Sequence, residues 1–146
     1  QIALELKLGP PLAQTDASST PPDVPRMLLV AHDTNIAYLR TMLGFGWKQG
    51  DYIENNIPPV GTLQFERYKE VKTGELFLRI AFETQSMDQI RNLTRLSGPQ
   101  KPLTSEFKSV GDCRKTSVGL LCPFKDALVK VEQNIDPTAL TPYSFN

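Results

Sequence analysis

The chain has 146 residues, 40% of them hydrophobic and 22% charged, which is enough for one domain with its own core and an ordinary composition for a folded protein. Sixteen basic residues balance sixteen acidic ones, so no global field draws the chain to nucleic acid or to an anionic membrane surface, and an anionic ligand has to be held locally. No apolar stretch approaches the length of a bilayer span, and residues 1–9 lack the basic, apolar and small-residue layout of a signal peptide.

The chain opens on Gln1, as expected of a mature or proteolytically cut segment. In residues 1–8, Ile2, Leu4, Leu6 and Leu8 alternate as in a strand, while Leu, Glu and Lys are equally good helix formers; both readings stay open. Residues 9–25 hold Pro10, Pro11, Pro21, Pro22 and Pro25, a composition that propagates neither a helix nor a sheet ladder and predicts an exposed loop. Met27 to Ala31 is a continuous apolar run, which predicts a strand buried on both faces, the kind found inside a parallel sheet. The run ends in His32-Asp33-Thr34-Asn35. Ile36, Leu39, Met42 and Leu43 then fall on one face of a helix that Gly44 or Gly46 would terminate.

Residues 47–61 are polar and turn-rich and predict a surface loop. Thr62 to Tyr68 and Glu75 to Glu83 alternate around Thr73-Gly74 and predict an antiparallel hairpin. Residues 86–105 have no strong period beyond a short helical turn. Asn92-Leu93-Thr94 matches an N-glycosylation acceptor pattern. A short strand is expected over residues 107–110. Cys113 and Cys122 enclose a polar loop whose length suits a short disulfide, worth roughly 2–4 kcal/mol, and suits two reduced thiols in a cytosolic protein equally. With no CxxC and a single histidine, a zinc or redox reading has no support. Phe124, Ala127, Leu128 and Val131 lie at helical spacing, with Pro123 at the helix start and Pro137 beyond its end; residues 138–146 read as a loose tail.

The strand-to-helix junction is where the chemistry concentrates. In open α/β sheets, ligands bind outside the carboxyl ends of the strands, where the next helix presents unpaired N–H groups and the positive end of its dipole. An imidazolium there can hold a phosphate dianion, and a neighbouring carboxylic acid can protonate a departing alkoxide. Free imidazole and carboxyl groups titrate near about 6.5 and about 3.9, so such a pair works in mildly acidic water. The competing explanation is structural: Asp, Thr and Asn are the preferred N-caps, so Asp33 or Thr34 could simply start the helix.

The stretch LLVAHDTNIAYL resembles the carboxyl-terminal HD motif region of the histidine acid phosphatases, most closely the bacterial periplasmic phytases and acid phosphatases. Downstream, Pro58-Pro59-Val60-Gly61 leading into LQFERY, the second strand ending FETQSMDQIR, and the cysteine pair before the last helix fall in the order that family has. The resemblance implies an α/β domain joined to a smaller helical domain, and hydrolysis of phosphate esters through a phosphohistidine without a metal or other cofactor. The family's nucleophilic histidine belongs to an RHGxRxP motif that is absent here. His32, followed by Asp rather than Gly, matches the second histidine, which contacts phosphate. Asp33 matches the proton donor and Thr34 a position that touches substrate, while Asn35 is left to the turn.

The chain thus resembles roughly the carboxyl-terminal third of such an enzyme, with residues 26–137 as part of its α/β domain. Residues 1–8 would then end a preceding element, a helix. Alone, the segment should not turn over phosphate esters. The active species would include an amino-terminal chain of the same precursor, acting on phytate or a sugar phosphate. The resemblance also implies a Cys113–Cys122 bridge, a periplasmic or secreted location and an unglycosylated Asn92. A non-catalytic binding or inhibitory fragment is the alternative from another class.

Overall fold

The computed structural model describes residues 26 and 28–136; the expectations for residues 1–25 and 138–146 lie outside them. Helix α1, Asp33–Leu43, leads into an extended loop, followed by strands β1, Thr62–Lys69, and β2, Leu76–Thr84. Helix α2, Met87–Arg91, and strands β3, Leu103–Glu106, β4, Arg114–Thr116, and β5, Gly119–Pro123, precede the last helix α3, Phe124–Gln133. The expected hairpin is present, with Thr62 opposite Glu83 and Lys69 opposite Leu76. Its turn closes on Gly74, whose φ of 75° suits a residue without Cβ.

Strand β2 is the spine of a five-stranded sheet. It pairs antiparallel with β1 along one edge, and on the other with β3 at Ala81 to Thr84 and with β5 at Phe77 and Leu78. Alternate residues Leu78, Ile80 and Phe82 face the core, where they meet Phe124, Ala127, Leu128 and Val131 of α3. Those four are the buried residues of that helix, as their spacing predicts. The opposite face of β2 carries Arg79, buried with its guanidinium on three carboxylates: Glu66 at 2.6 Å, Glu106 at 2.8 Å and Glu83 at 3.3 Å. The Glu106 Oε1 that accepts from Arg79 also accepts the Leu120 N–H at 2.9 Å, tying β5 to this group. Gly119 passes so close to Arg79 and Glu106 that a Cβ there would overlap both.

Four expectations need correction. Residues 28–31 form neither helix nor ladder among the described residues, and Leu28, Leu29 and Val30 are 79%, 57% and 92% exposed instead of buried. A strand needs neighbours on both sides to be buried, and among the described residues none pairs with this segment. Residues 47–61 are not a surface loop: Trp47 is 4% exposed and stacks on Phe82, ring centroids 4.0 Å apart, while Gln49 Nε2 donates to the Phe82 carbonyl and the Tyr52 hydroxyl to that of Gln85. From Leu43 to Gly50 the chain alternates buried and exposed positions with strand period but without a ladder partner. The third strand covers Leu103–Glu106 rather than residues 107–110; only the Phe107 N–H prolongs the ladder, to Ile80 at 2.8 Å. Met42, expected on the buried face of α1, is 40% exposed.

The cysteines form a bridge, Cys113–Cys122. It closes the β4–β5 hairpin, with Cys122 inside the main hydrophobic cluster.

Candidate phosphate site at the start of helix α1

Helix α1 is fixed from its carboxyl end. Leu43 is buried, Gly44 caps the helix in the left-handed conformation at φ 64°, and the chain then drives Phe45 and Trp47 into the core. Arg40 Nη1 donates to the Phe45 carbonyl at 3.3 Å, and its guanidinium lies 6.0 Å from the Trp47 ring centroid. The amino end points away from this anchor, so residues 32–35 are all exposed.

His32 is the N-cap, in extended conformation with φ −87° and ψ 161°. Neither Asp33 nor Thr34 occupies the cap position, which leaves Asp33 as the first helical residue. The Asp33 carboxylate turns back onto the chain, where Oδ1 accepts the Thr34 N–H at 2.8 Å. Two reciprocal bonds close the turn: the His32 N–H donates to Asn35 Oδ1 at 3.1 Å, and the Asn35 N–H donates to the His32 carbonyl at 3.1 Å. The Asn35 side chain therefore holds the residue that carries the imidazole. Capping boxes ordinarily use Glu or Gln at this third helical position, which is why an Asn there reads from the sequence as turn chemistry.

An imidazole, a carboxyl group and the positive end of an eleven-residue helix thus share one exposed corner, a setting that favours an anion and can deliver a proton. The corner is open. A hollow of about 280 Å³ lies at the other end of α1, lined by Gly44, Lys108 and Lys130 among others. Another of about 240 Å³ lies between Tyr68, Phe77 and Arg114. Neither includes His32 or Asp33. Among the described residues, no group of three or more His, Cys, Asp or Glu side chains is placed to hold a metal ion.

No family model matches the chain. It is 31% identical over 96 residues to the phytase AppA of Escherichia coli, spanning 66% of this chain and 22% of that protein. A glucose-1-phosphatase from Providencia rettgeri is 32% identical over 102 residues, 68% of this chain and 24% of that one. The crystal structure of a phytase from Klebsiella sp. ASR1 superposes with a TM-score of 0.76 at 42% identity, over 80% of this chain and 29% of that chain. The chain belongs to the histidine acid phosphatase family. Its α/β fold is that of a part of a histidine phosphatase, and it spans about a quarter of the length of the curated relatives it matches. The exposed start of α1 carries the only histidine of the chain, His32, directly before Asp33.

Proposed function

We propose that this chain supplies the proton-donating half of an acid phosphomonoester hydrolase, with phytate as the favoured substrate. His32 holds the phosphoryl oxygens together with the first N–H groups of α1. Asp33, entering the reaction as the acid, gives its proton to the ester oxygen as the P–O bond breaks, and the phosphoryl group passes to a histidine nucleophile on an amino-terminal segment of the same precursor. Water then releases phosphate from that histidine, its proton returning to Asp33. Thr34 lines the substrate side of the same turn. Residues 26–137 belong to the carboxyl-terminal part of the α/β domain. A metal ion or other cofactor has no part in this scheme.

The observation that carries the reading is the HD pair at the amino end of a helix, in a chain 42% identical to a phytase over most of its length. The exposed apolar residues Leu28, Leu29 and Val30, leading directly into His32, support a second segment packing beside the site. The Cys113–Cys122 bridge supports an oxidising compartment, periplasmic or extracellular. A sugar-phosphate phosphatase is the second reading, favoured by the likeness to a glucose-1-phosphatase.

The test is leaving-group dependence in the enzyme assembled with its nucleophile-bearing segment. Asp33→Asn should cut phytate and glucose 1-phosphate hydrolysis by roughly 10²–10⁴-fold while sparing aryl phosphates, whose leaving groups need little protonation. Equal losses on both substrate types would remove Asp33 from the role of acid. The ratio of wild-type rates on phytate and glucose 1-phosphate separates the two substrate readings.

A further inference from the structure

We infer that Asn35 is a positioning residue for the His32–Asp33 pair, and that its neutrality is as important as its hydrogen bond. The inference rests on the reading of His32 and Asp33 given above and deepens it. His32 is held by Asn35 from both sides: its backbone N–H donates to Asn35 Oδ1 and its carbonyl accepts the Asn35 N–H, each at 3.1 Å. These two bonds sit on either side of the Cα that carries the imidazole. They fix the ψ of 161° from which the helix starts, and with it the direction in which His32 and the adjacent Asp33 leave the chain. Among the described residues no packing holds this corner, because residues 32–35 are all exposed. A local clamp is therefore what keeps the pair in register.

The choice of side chain is informative. A glutamate at the third helical position would make the same reciprocal bond and would favour the helix dipole. It would also put a second carboxylate in the same first turn as Asp33, at the end of the helix where a phosphate dianion has to approach. Asparagine makes the bond without the charge. Its side chain is one methylene shorter than glutamine or glutamate, so it holds the cap with fewer free rotations.

Three variants in the assembled enzyme separate positioning from simple helix capping. Asn35→Ala deletes the acceptor and should lower kcat on phytate by roughly tenfold or more, since misplacement of a reacting group by about an ångström costs on the order of a hundredfold. That loss should be several-fold smaller on an aryl phosphate. Asn35→Gln keeps acceptor and neutrality and should restore most of kcat. Asn35→Asp keeps the acceptor and adds a charge, so it should recover kcat relative to Asn35→Ala while raising KM. A role confined to helix stability would move neither the leaving-group ratio nor the split between kcat and KM. The inference is overturned if Asn35→Ala leaves kcat unchanged, if its loss is the same for both leaving groups, or if Asn35→Gln fails to restore the rate. When Asp33→Asn shows leaving-group dependence and Asn35→Ala does not, the positioning role alone falls. When Asp33→Asn shows none, the reading beneath falls and takes this inference with it.

Discussion

Replacing Arg79 by Met keeps the aliphatic stem and most of the volume but removes the one cation among Glu66, Glu83 and Glu106. Arg79 has a side chain only 10% exposed, at 2.6, 3.3 and 2.8 Å from those three carboxylates. Removing one partner of a buried ion pair costs about 3–5 kcal/mol, because a desolvated charge is left behind. Here the carboxylates are 40%, 23% and 26% exposed, so water screens part of that penalty and the lower end applies, about 3 kcal/mol. The pH dependence has a definite sign. Burial works against the charge on Arg79, but the hydrogen bonds it donates to Glu106, Glu66 and Glu83 outweigh it and raise its pKa above the ordinary arginine value. Arg79 therefore stays cationic beside the three carboxylates. In the variant they face only one another, so its native state takes up protons more readily than that of the wild type, and the cost of the substitution shrinks as pH falls. Urea unfolding in neutral and in mildly acidic buffer measures this directly. A loss under about 1 kcal/mol at neutral pH, or one that does not change with pH, would refute the reasoning.

The bridge and a half-buried phenol give two further tests. For a sequence separation of 9, loop-closure entropy puts the Cys113–Cys122 bond at about 2.6 kcal/mol near room temperature. The Cys113→Ala/Cys122→Ala pair should lose at least that in urea unfolding, because Cys122 is also 1% exposed; an unchanged midpoint would contradict it. Tyr68 has its pKa raised above 10.0, first by burial and then by Glu66. It thus contributes stability that is fully present below the unfolded value and is lost as pH rises through the raised one. Ultraviolet titration of the four tyrosines should show one phenol ionising late, and Tyr68→Phe should remove it along with that alkaline loss of stability.

Local elements could be read from the sequence where each carried its own signal. The β1–β2 hairpin combined two-residue alternation with Thr73-Gly74, α3 had four apolar residues at helical spacing, and α1 had an apolar face with Gly44 behind it. What was hidden depends on partners distant in the chain. Residues 28–31 had the apolar run of a buried strand, yet burial requires neighbours that the run itself does not specify. The strand-period burial from Leu43 to Gly50 was masked by three glycines and by polar residues such as Gln49, which donates to the carbonyl of Phe82. The partners of Arg79 depend on the hairpin register, which sets it opposite Glu66, and on β3, which brings up Glu106. At the candidate site, HDTN was legible as a helix start that carries an imidazole and a carboxylate. The cap, however, falls on His32 and not on Asp33 or Thr34, and the clamp from Asn35 emerges only from hydrogen-bond geometry.

The central claim is that this chain contributes phosphate binding and the acid while the nucleophile comes from another segment. The direct measurement is phosphate release from phytate by the purified chain alone, and by the same chain assembled with the nucleophile-bearing segment, the intact masses of both preparations being known. The account predicts no release from the 16.3 kDa chain by itself and turnover on assembly, abolished by Asp33→Asn. Turnover by the chain alone, or none by the verified assembly, would contradict it.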